Sequence, residues 1–325
     1  MNEMNFENER LLLIGSGKLA CSLYVCLCNA GSSISFFTEN TAIAKERISV
    51  HFTDMNMHRE NSITCCDLES LHALKNGPGY DIVLVVTDED LEQKRAFIKK
   101  AEQVVSPNAI IAINTESIAL SAIQQSALHP ARIIGANWSE PAHTTYFLEI
   151  ISNEVNSVKL VQKFNDCSKS LWHKDPYILK NDFGIRSRML SAMIREAFYL
   201  VENGYVTIKD IDRACRNDAG YYLPFAGNFR YMDLMGTYLY GMVMKDLNPE
   251  LSNSRTTPSF FKEIVQQGGK GIENHQGFHH YKECEPEQWD ELSRNFSYEI
   301  MALFRKYPFA YHVEDEVNEL ILHNE

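Results

Sequence analysis

The sequence predicts an α/β fold, a doubly wound, mostly parallel sheet, followed by an all-helical C-terminal region. Three observations predict it. Short, wholly apolar runs recur through the first half, helical stretches separate several of them, and from about Gly184 the apolar spacing is helical almost throughout. Strands buried on both faces read as continuous apolar runs, and strands alternating with helices build parallel sheets. The boundary is expected near Asn181–Gly184, giving domains of 1–182 and 183–325.

The first run, Leu11-Leu12-Leu13-Ile14, enters Gly15-Ser16-Gly17-Lys18-Leu19-Ala20, after which Leu19, Leu23, Cys26 and Leu27 fall on one helical face. This is the G-x-G-x-x-A form of the dinucleotide fingerprint. Gly15 allows the tight turn, Gly17 lets pyrophosphate approach the backbone, and Ala20 lets helix and strand pack closely. The helix start offers unpaired N–H groups to phosphate, so residues 15–20 are expected to bind the cofactor in a Rossmann-type domain. A second strand, Ile34–Phe37, ends at Thr38 and Glu39. A carboxylate there takes the ribose hydroxyls and repels a 2′-phosphate, which favours NAD; Lys45 and Arg47 nearby leave NADP open. Further strands are expected at Asp81–Val86, Ala109–Ile113, Arg132–Ala136 and Tyr146–Ile151, with a helix over Leu91–Gln103.

Composition removes several function classes. The 325 residues carry a net charge of −12 and no basic run, which excludes a nucleic-acid partner that needs a concentrated basic face. No apolar run approaches a membrane span and the acidic N-terminus has no signal core, so a cytoplasmic protein is expected. The eight cysteines match no paired zinc spacing and are expected as reduced thiols, with no metal site.

Several segments together resemble the 3-hydroxyacyl-CoA dehydrogenase family. They are GSGKLA (15–20), VTDEDLEQK (86–94), INTESIAL (113–120), RIIGANWSEP (132–141), FLEII (147–151), REAFYLVENGYVTIKDIDRACRNDAGY (195–221) and GKGIENHQGFHHY (269–281). The resemblance spans nearly the whole chain. It implies a homodimer formed through the helical domain, and it adds Glu89, Lys94 and Asn114 to the cofactor-binding residues.

At the catalytic positions the sequence departs from that family. Asn137 stands where the resemblance implies a histidine base, while Glu149 keeps the twelve-residue spacing of the glutamate that orients it. Glu116 replaces a serine, Ser187 replaces an asparagine, and Asp182-Phe183-Gly184 stands where the family has Pro-Gly-Phe. An amide has no titratable group near neutrality, so ordinary hydroxyacyl chemistry should be crippled. The segment from about Asn40 to Ser62 is too short for the family's long helical pair that helps hold coenzyme A. That points to a smaller acid, or an acyl group on a carrier protein.

Four residues form the candidate catalytic set: Glu116, Asn137, Glu149 and Ser187. In one reading Glu116 is the replacement acid/base, with Asn137 and Ser187 hydrogen-bonding the substrate oxygen; a variant has Glu116 bind a cationic or amino substrate. In a blander reading Glu116 faces solvent and does nothing. A further alternative is a non-catalytic dinucleotide-binding pseudoenzyme. His143, six residues beyond Asn137, is a weak replacement for the missing base, since an extended loop of that length carries a side chain up to roughly 20 Å. Trp138, Tyr221 and Tyr222 are expected in the core or an interface, and Met232, Met235, Met242 and Met244 on a buried helix surface.

Overall fold

The computed structural model describes residues 9–57, 63–76 and 79–307. The last part of the segment between Asn40 and Ser62 therefore lies outside the described residues. Its earlier part forms one helix.

The first strand, β1 (Arg10–Gly15), leads into α1 (Gly17–Asn29), then β2 (Ser33–Thr38), α2 (Thr41–Asp54) and the short β3 (Cys65–Asp67). The chain continues through β4 (Ile82–Val86), α3 (Leu91–Glu102), β5 (Ile110–Ile113), α4 (Leu120–Gln124), β6 (Ile133–Trp138) and β7 (Phe147–Ile151). It ends this region with α5 (Val158–Ser170) and β8 (Asp175–Leu179).

These strands make one eight-stranded sheet in the order β3-β2-β1-β4-β5-β6-β7-β8, parallel except for the β6–β7 pair. Alternate residues of β1 enter opposite cores. Leu11 and Leu13 pack with α1 and α2, Leu12 and Ile14 with α3 and α4. Both faces are thus covered, as the unbroken apolar strands require. The strand order reverses at the β1–β4 neighbours, where a crevice opens at the strands' carboxyl ends.

Strand β8 is not legible in the sequence. Pro176 lies inside it and cannot donate to a ladder, which demotes such a run to an edge strand. An edge strand is what the structure contains, since β8 pairs only with β7.

The chain divides into two compact units that part at Met189 and Leu190, inside α6 (Arg186–Glu202). The first turn of α6 belongs with the sheet because Glu149 of β7 accepts hydrogen bonds from the backbone N–H groups of Ile185 and Arg186. The second unit contains α7 (Ile208–Ala214), a π-helical turn over Cys215–Ala219, α8 (Gly220–Met235), α9 (Thr237–Leu247), α10 (Ser259–Gln266) and α11 (Glu285–Lys306). Phe198, Phe260, Phe261 and Phe278 cluster there, and His279 pairs with Asp212 at 2.9 Å.

The methionine expectation is corrected. Met235, Met242 and Met244 are 54, 44 and 45% exposed in the single chain, because α8 and α9 find too little apolar surface within this unit to cover them. Tyr221 is likewise exposed, whereas Trp138 is buried in the sheet core. Among the described residues, no helix is long and apolar enough to cross a membrane.

Candidate active site and cofactor site

The cofactor end is built by close backbone approach. A Cβ on Gly15 would lie 2.3 Å from the carbonyl oxygen of Val86, so only glycine lets β1 lie this close to β4 here. Gly17 has φ +89°, a left-handed conformation that disfavours L side chains, and open space where its Cβ would be. No side chain caps the start of α1, and its first turn holds no acid. The N–H groups of that turn therefore remain for an anion, and the residues present fit a dinucleotide pyrophosphate.

Ser16 ties the turn to the tip of β2: its Oγ lies 3.1 Å from Thr38 Oγ1 and accepts from the backbone N–H of Glu39 at 3.2 Å. Thr38 is buried, and the Glu39 side chain stands exposed at the tip. Lys18 is exposed and Leu19 half-buried, while Ala20 is wholly buried against the sheet.

Glu89, Lys94 and Asn114 together hold the loop after β5. Glu89 Oε1 accepts from the backbone N–H groups of Glu116, Ser117 and Ile118 at 3.0, 2.6 and 2.9 Å. Its other oxygen pairs with Lys94 Nζ at 3.1 Å. Lys94 is fully buried and also donates to Asn114 O and Thr87 Oγ1. Asn114 exchanges two hydrogen bonds of 2.9 Å with the backbone of Thr87. Partial burial works against the Glu89 carboxylate, but the N–H groups of Ser117 and Ile118 and the ammonium of Lys94 hold it below its ordinary range. Burial pulls Lys94 below its usual value, partly offset by Glu89. Lys94 sits beneath the loop with no exposed side-chain surface.

The catalytic positions lie on one rung of the sheet. Asn137 of β6 is directly opposite Glu149 of β7, and Glu149 is opposite Tyr177 of β8. Residues facing one another across neighbouring strands project from the same face. Asn137 Nδ2 donates to Glu149 Oε2 at 2.9 Å and to Thr115 O at 2.8 Å, while its Oδ1 accepts from Thr115 N at 2.8 Å. An amide has two donor hydrogens, so Asn137 keeps none for a substrate oxygen in this geometry.

Glu149 is wholly buried and fully engaged. Its Oε1 accepts from Tyr177 Oη, Ile185 N and Arg186 N at 3.1, 2.7 and 3.1 Å. It thereby caps the start of α6, where a negative charge is stabilising. Burial and the adjacent Glu149 carboxylate push the Tyr177 phenol well above its ordinary value, so it stays protonated. A Cβ on Gly184 would lie 2.0 Å from Glu149 Oε2, which gives a physical reason for glycine at this point of Asp182-Phe183-Gly184.

Glu116 and Ser187 meet on the other side of that helix start. Ser187 Oγ donates to Glu116 Oε2, and Arg186 Nη1 pairs with Glu116 Oε1 at 2.7 Å. The two charged side chains are 33 and 39% exposed. The structure thus joins Asn137 with Glu149, and Glu116 with Ser187. Sequence reasoning did not find Arg186 and Tyr177. The second charge two residues beyond Gly184 was the only signal for Arg186.

His143 lies elsewhere, its ring 4.7 Å from that of His51 on α2. Burial, His51 and Lys174 push its imidazole down to about 3.

Residues 11–182 match the 3-hydroxyacyl-CoA dehydrogenase NAD-binding domain, and residues 185–281 match the C-terminal domain of the same family. The chain belongs to the 3-hydroxyacyl-CoA dehydrogenase family, and its cofactor is NAD. The 5-formyl-3-hydroxy-2-methylpyridine 4-carboxylate 5-dehydrogenase of Mesorhizobium japonicum is 27% identical over 229 residues, 70% of this chain and 73% of that protein. Human mitochondrial hydroxyacyl-coenzyme A dehydrogenase is 27% identical over 206 residues, 62% of this chain and 64% of that protein.

Among solved structures, a 5-formyl-3-hydroxy-2-methylpyridine 4-carboxylic acid 5-dehydrogenase, an NAD+-dependent dismutase, superposes with a TM-score of 0.81 at 23% identity, covering 92% of this chain and 98% of that one. The (S)-3-hydroxybutyryl-CoA dehydrogenase of Ralstonia eutropha gives 0.64 at 20% identity, covering 85 and 99%. These two likenesses are of fold.

Proposed function

We propose that the protein is an NAD-dependent dehydrogenase that interconverts an alcohol and a carbonyl on a small acid, with Glu116 as its acid/base. The observation that carries this reading is that Glu116 holds the one partly exposed carboxylate of the candidate set, while Asn137 is spent and Glu149 is buried. Glu89 fixes the backbone beneath it, so the carboxylate is presented from a rigid loop. NAD, when bound, supplies the hydride acceptor. In the oxidation direction Glu116 takes the proton from the substrate hydroxyl; in reduction it returns the proton to the carbonyl oxygen. Ser187 holds the carboxylate in place, and Asn137 keeps Glu149 on the start of α6. A positioned general base of this kind contributes roughly 10²–10⁴-fold in rate. The pyridine carboxylate named for the Mesorhizobium relative supports a free acid over an acyl group on coenzyme A or a carrier protein.

A second reading is a dinucleotide-binding protein without turnover. Asn137 favours it, because every hydrogen of its amide is committed to the sheet. Transfer of deuterium from C4-deuterated NADH to any member of a panel of keto and aldehyde acids decides between the two. Label in the alcohol product supports the dehydrogenase; tight NADH binding with no transfer across the panel contradicts it.

We further infer that two copies pair through the helical unit. Among its described residues only Ala226, Ser252 and Pro258 are buried, and α8 and α9 expose Phe229, Leu234, Tyr238 and Leu239. Light scattering at micromolar concentration should give twice the chain mass, and a monomer would contradict the pairing.

A further inference from the structure

We propose that Arg186 selects the substrate by gripping the carboxylate of a small hydroxy or keto acid, which takes the place of Glu116 on the guanidinium. The proposal rests on the dehydrogenase reading and names its substrate class.

Arg186 is prepared for this on three sides. Its backbone N–H is fixed by Glu149 at 3.1 Å, its guanidinium carbon lies 5.7 Å from the centroid of the Phe147 ring, and Nη1 faces Glu116 at 2.7 Å. Guanidinium groups stack on aromatic faces and present their N–H fork edge-on, matching a carboxylate with two parallel bonds. Among the described residues only Nη1 of that fork makes a hydrogen bond. The side chain as a whole is 39% exposed. A long side chain already held in place loses less freedom when a ligand binds.

The partner it holds is also exchangeable. Exposed ion pairs contribute little stability, so a ligand carboxylate that offers two bonds in place of one can displace Glu116. The exchange leaves the Glu116 carboxylate beside the substrate without its cation, free to accept the hydroxyl proton. Because donor and acceptor sit side by side, the reacting oxygen must lie within a few bonds of the carboxylate. A coenzyme A thioester has no carboxylate there and cannot make the exchange.

The test uses the full-length protein saturated with NAD, and calorimetry with 3-hydroxybutyrate, 3-(hydroxymethyl)benzoate and the corresponding amides. The acids should bind at least tenfold more tightly than the amides. Arg186→Met should remove that preference while leaving NAD affinity unchanged, and Arg186→Lys should retain part of it. Glu116→Gln should tighten acid binding by up to about fivefold, because the guanidinium is released, even as it abolishes turnover. A merely structural Arg186 would not produce these opposite effects on binding and rate. Acids and amides that bind equally, no acid binding at all, or wild-type selectivity in Arg186→Met would each overturn the proposal. The dehydrogenase reading fails separately, if acids bind selectively but none is turned over.

Discussion

Asn137 and Glu149 stand directly opposite each other across β6 and β7, and the Asn137 amide donates to Glu149 Oε2 over 2.9 Å. This register explains the twelve-residue spacing between them. It also changes what the glutamate does. With no histidine to orient, the carboxylate accepts the first N–H groups of α6 and joins that helix to the sheet. Glu149 is a structural anchor here, and Glu116 holds the partly exposed carboxylate of the pair of glutamates.

The anchor depends on glycine at position 184. A Cβ there would meet Glu149 Oε2 at 2.0 Å, so Gly184→Ala must push the buried carboxylate off its four donors. Breaking up a buried charge and its partners costs about 3–5 kcal/mol. Urea denaturation should show a loss of that order. A loss below about 0.5 kcal/mol, the size of an ordinary surface substitution, would show that the carboxylate has room to move.

Asn137→His should not restore turnover of 3-hydroxyacyl-CoA. The imidazole would find Glu149 already bound to Tyr177, Ile185 and Arg186, and Glu116 would place negative charge near the reacting oxygen. Each missing donor to a developing oxyanion costs up to about 10²–10³-fold, so one substitution cannot compensate. Acetoacetyl-CoA reduction followed by NADH absorbance should stay at background; robust reduction by the variant or the wild type would contradict this.

Gly17→Val should abolish NAD binding and leave the fold intact. A Cβ at this point meets no protein atom within 4 Å, so the fold bears only the backbone strain of φ +89°. That strain is about 1–2 kcal/mol. The side chain would, however, fill the space over the start of α1. Calorimetry should show no NAD binding to a protein with unchanged circular dichroism, and retained affinity would refute the role of this turn.

Much of the fold was legible in the sequence because its signals are local. The strand-turn-helix at 10–20 obeys steric rules that operate within a dozen residues, and its glycines have the close approach and positive φ those rules require. The twelve-residue interval from Asn137 to Glu149 was readable, but its consequence was not. Whether Glu149 meets a base or a helix start depends on Gly184 and Ile185, some 36 residues away in sequence. Arg186 went unread for the same reason, since its partner Glu116 lies 70 residues earlier. The Lys94 ammonium is held under the loop by Thr87, Glu89 and Asn114, of which Asn114 lies 20 residues on, beyond the reach of a local pattern.

Acid should destabilise the protein partly through His143. Its folded value of about 3 lies below the ordinary 6.5, so between these pH values the unfolded chain takes a proton that the folded chain refuses. Stability therefore falls as pH drops through that window, by at most about 1.4 kcal/mol per pH unit from this group. Above the window the residue is neutral in both states and contributes nothing to pH dependence. His143→Phe should flatten the stability profile between pH 6 and 4 relative to wild type. Parallel profiles for the two proteins would contradict the assignment.

Glu116 is proposed to move the proton in an NAD-dependent reaction. Single-turnover hydride transfer, with the best acid substrate from the panel and saturating cofactor, tests it most directly. Glu116→Gln keeps the shape and the contact with Ser187 but removes the basic carboxylate. The rate should fall at least about 100-fold with NAD affinity unchanged. Hydride transfer at the wild-type rate in Glu116→Gln would contradict it.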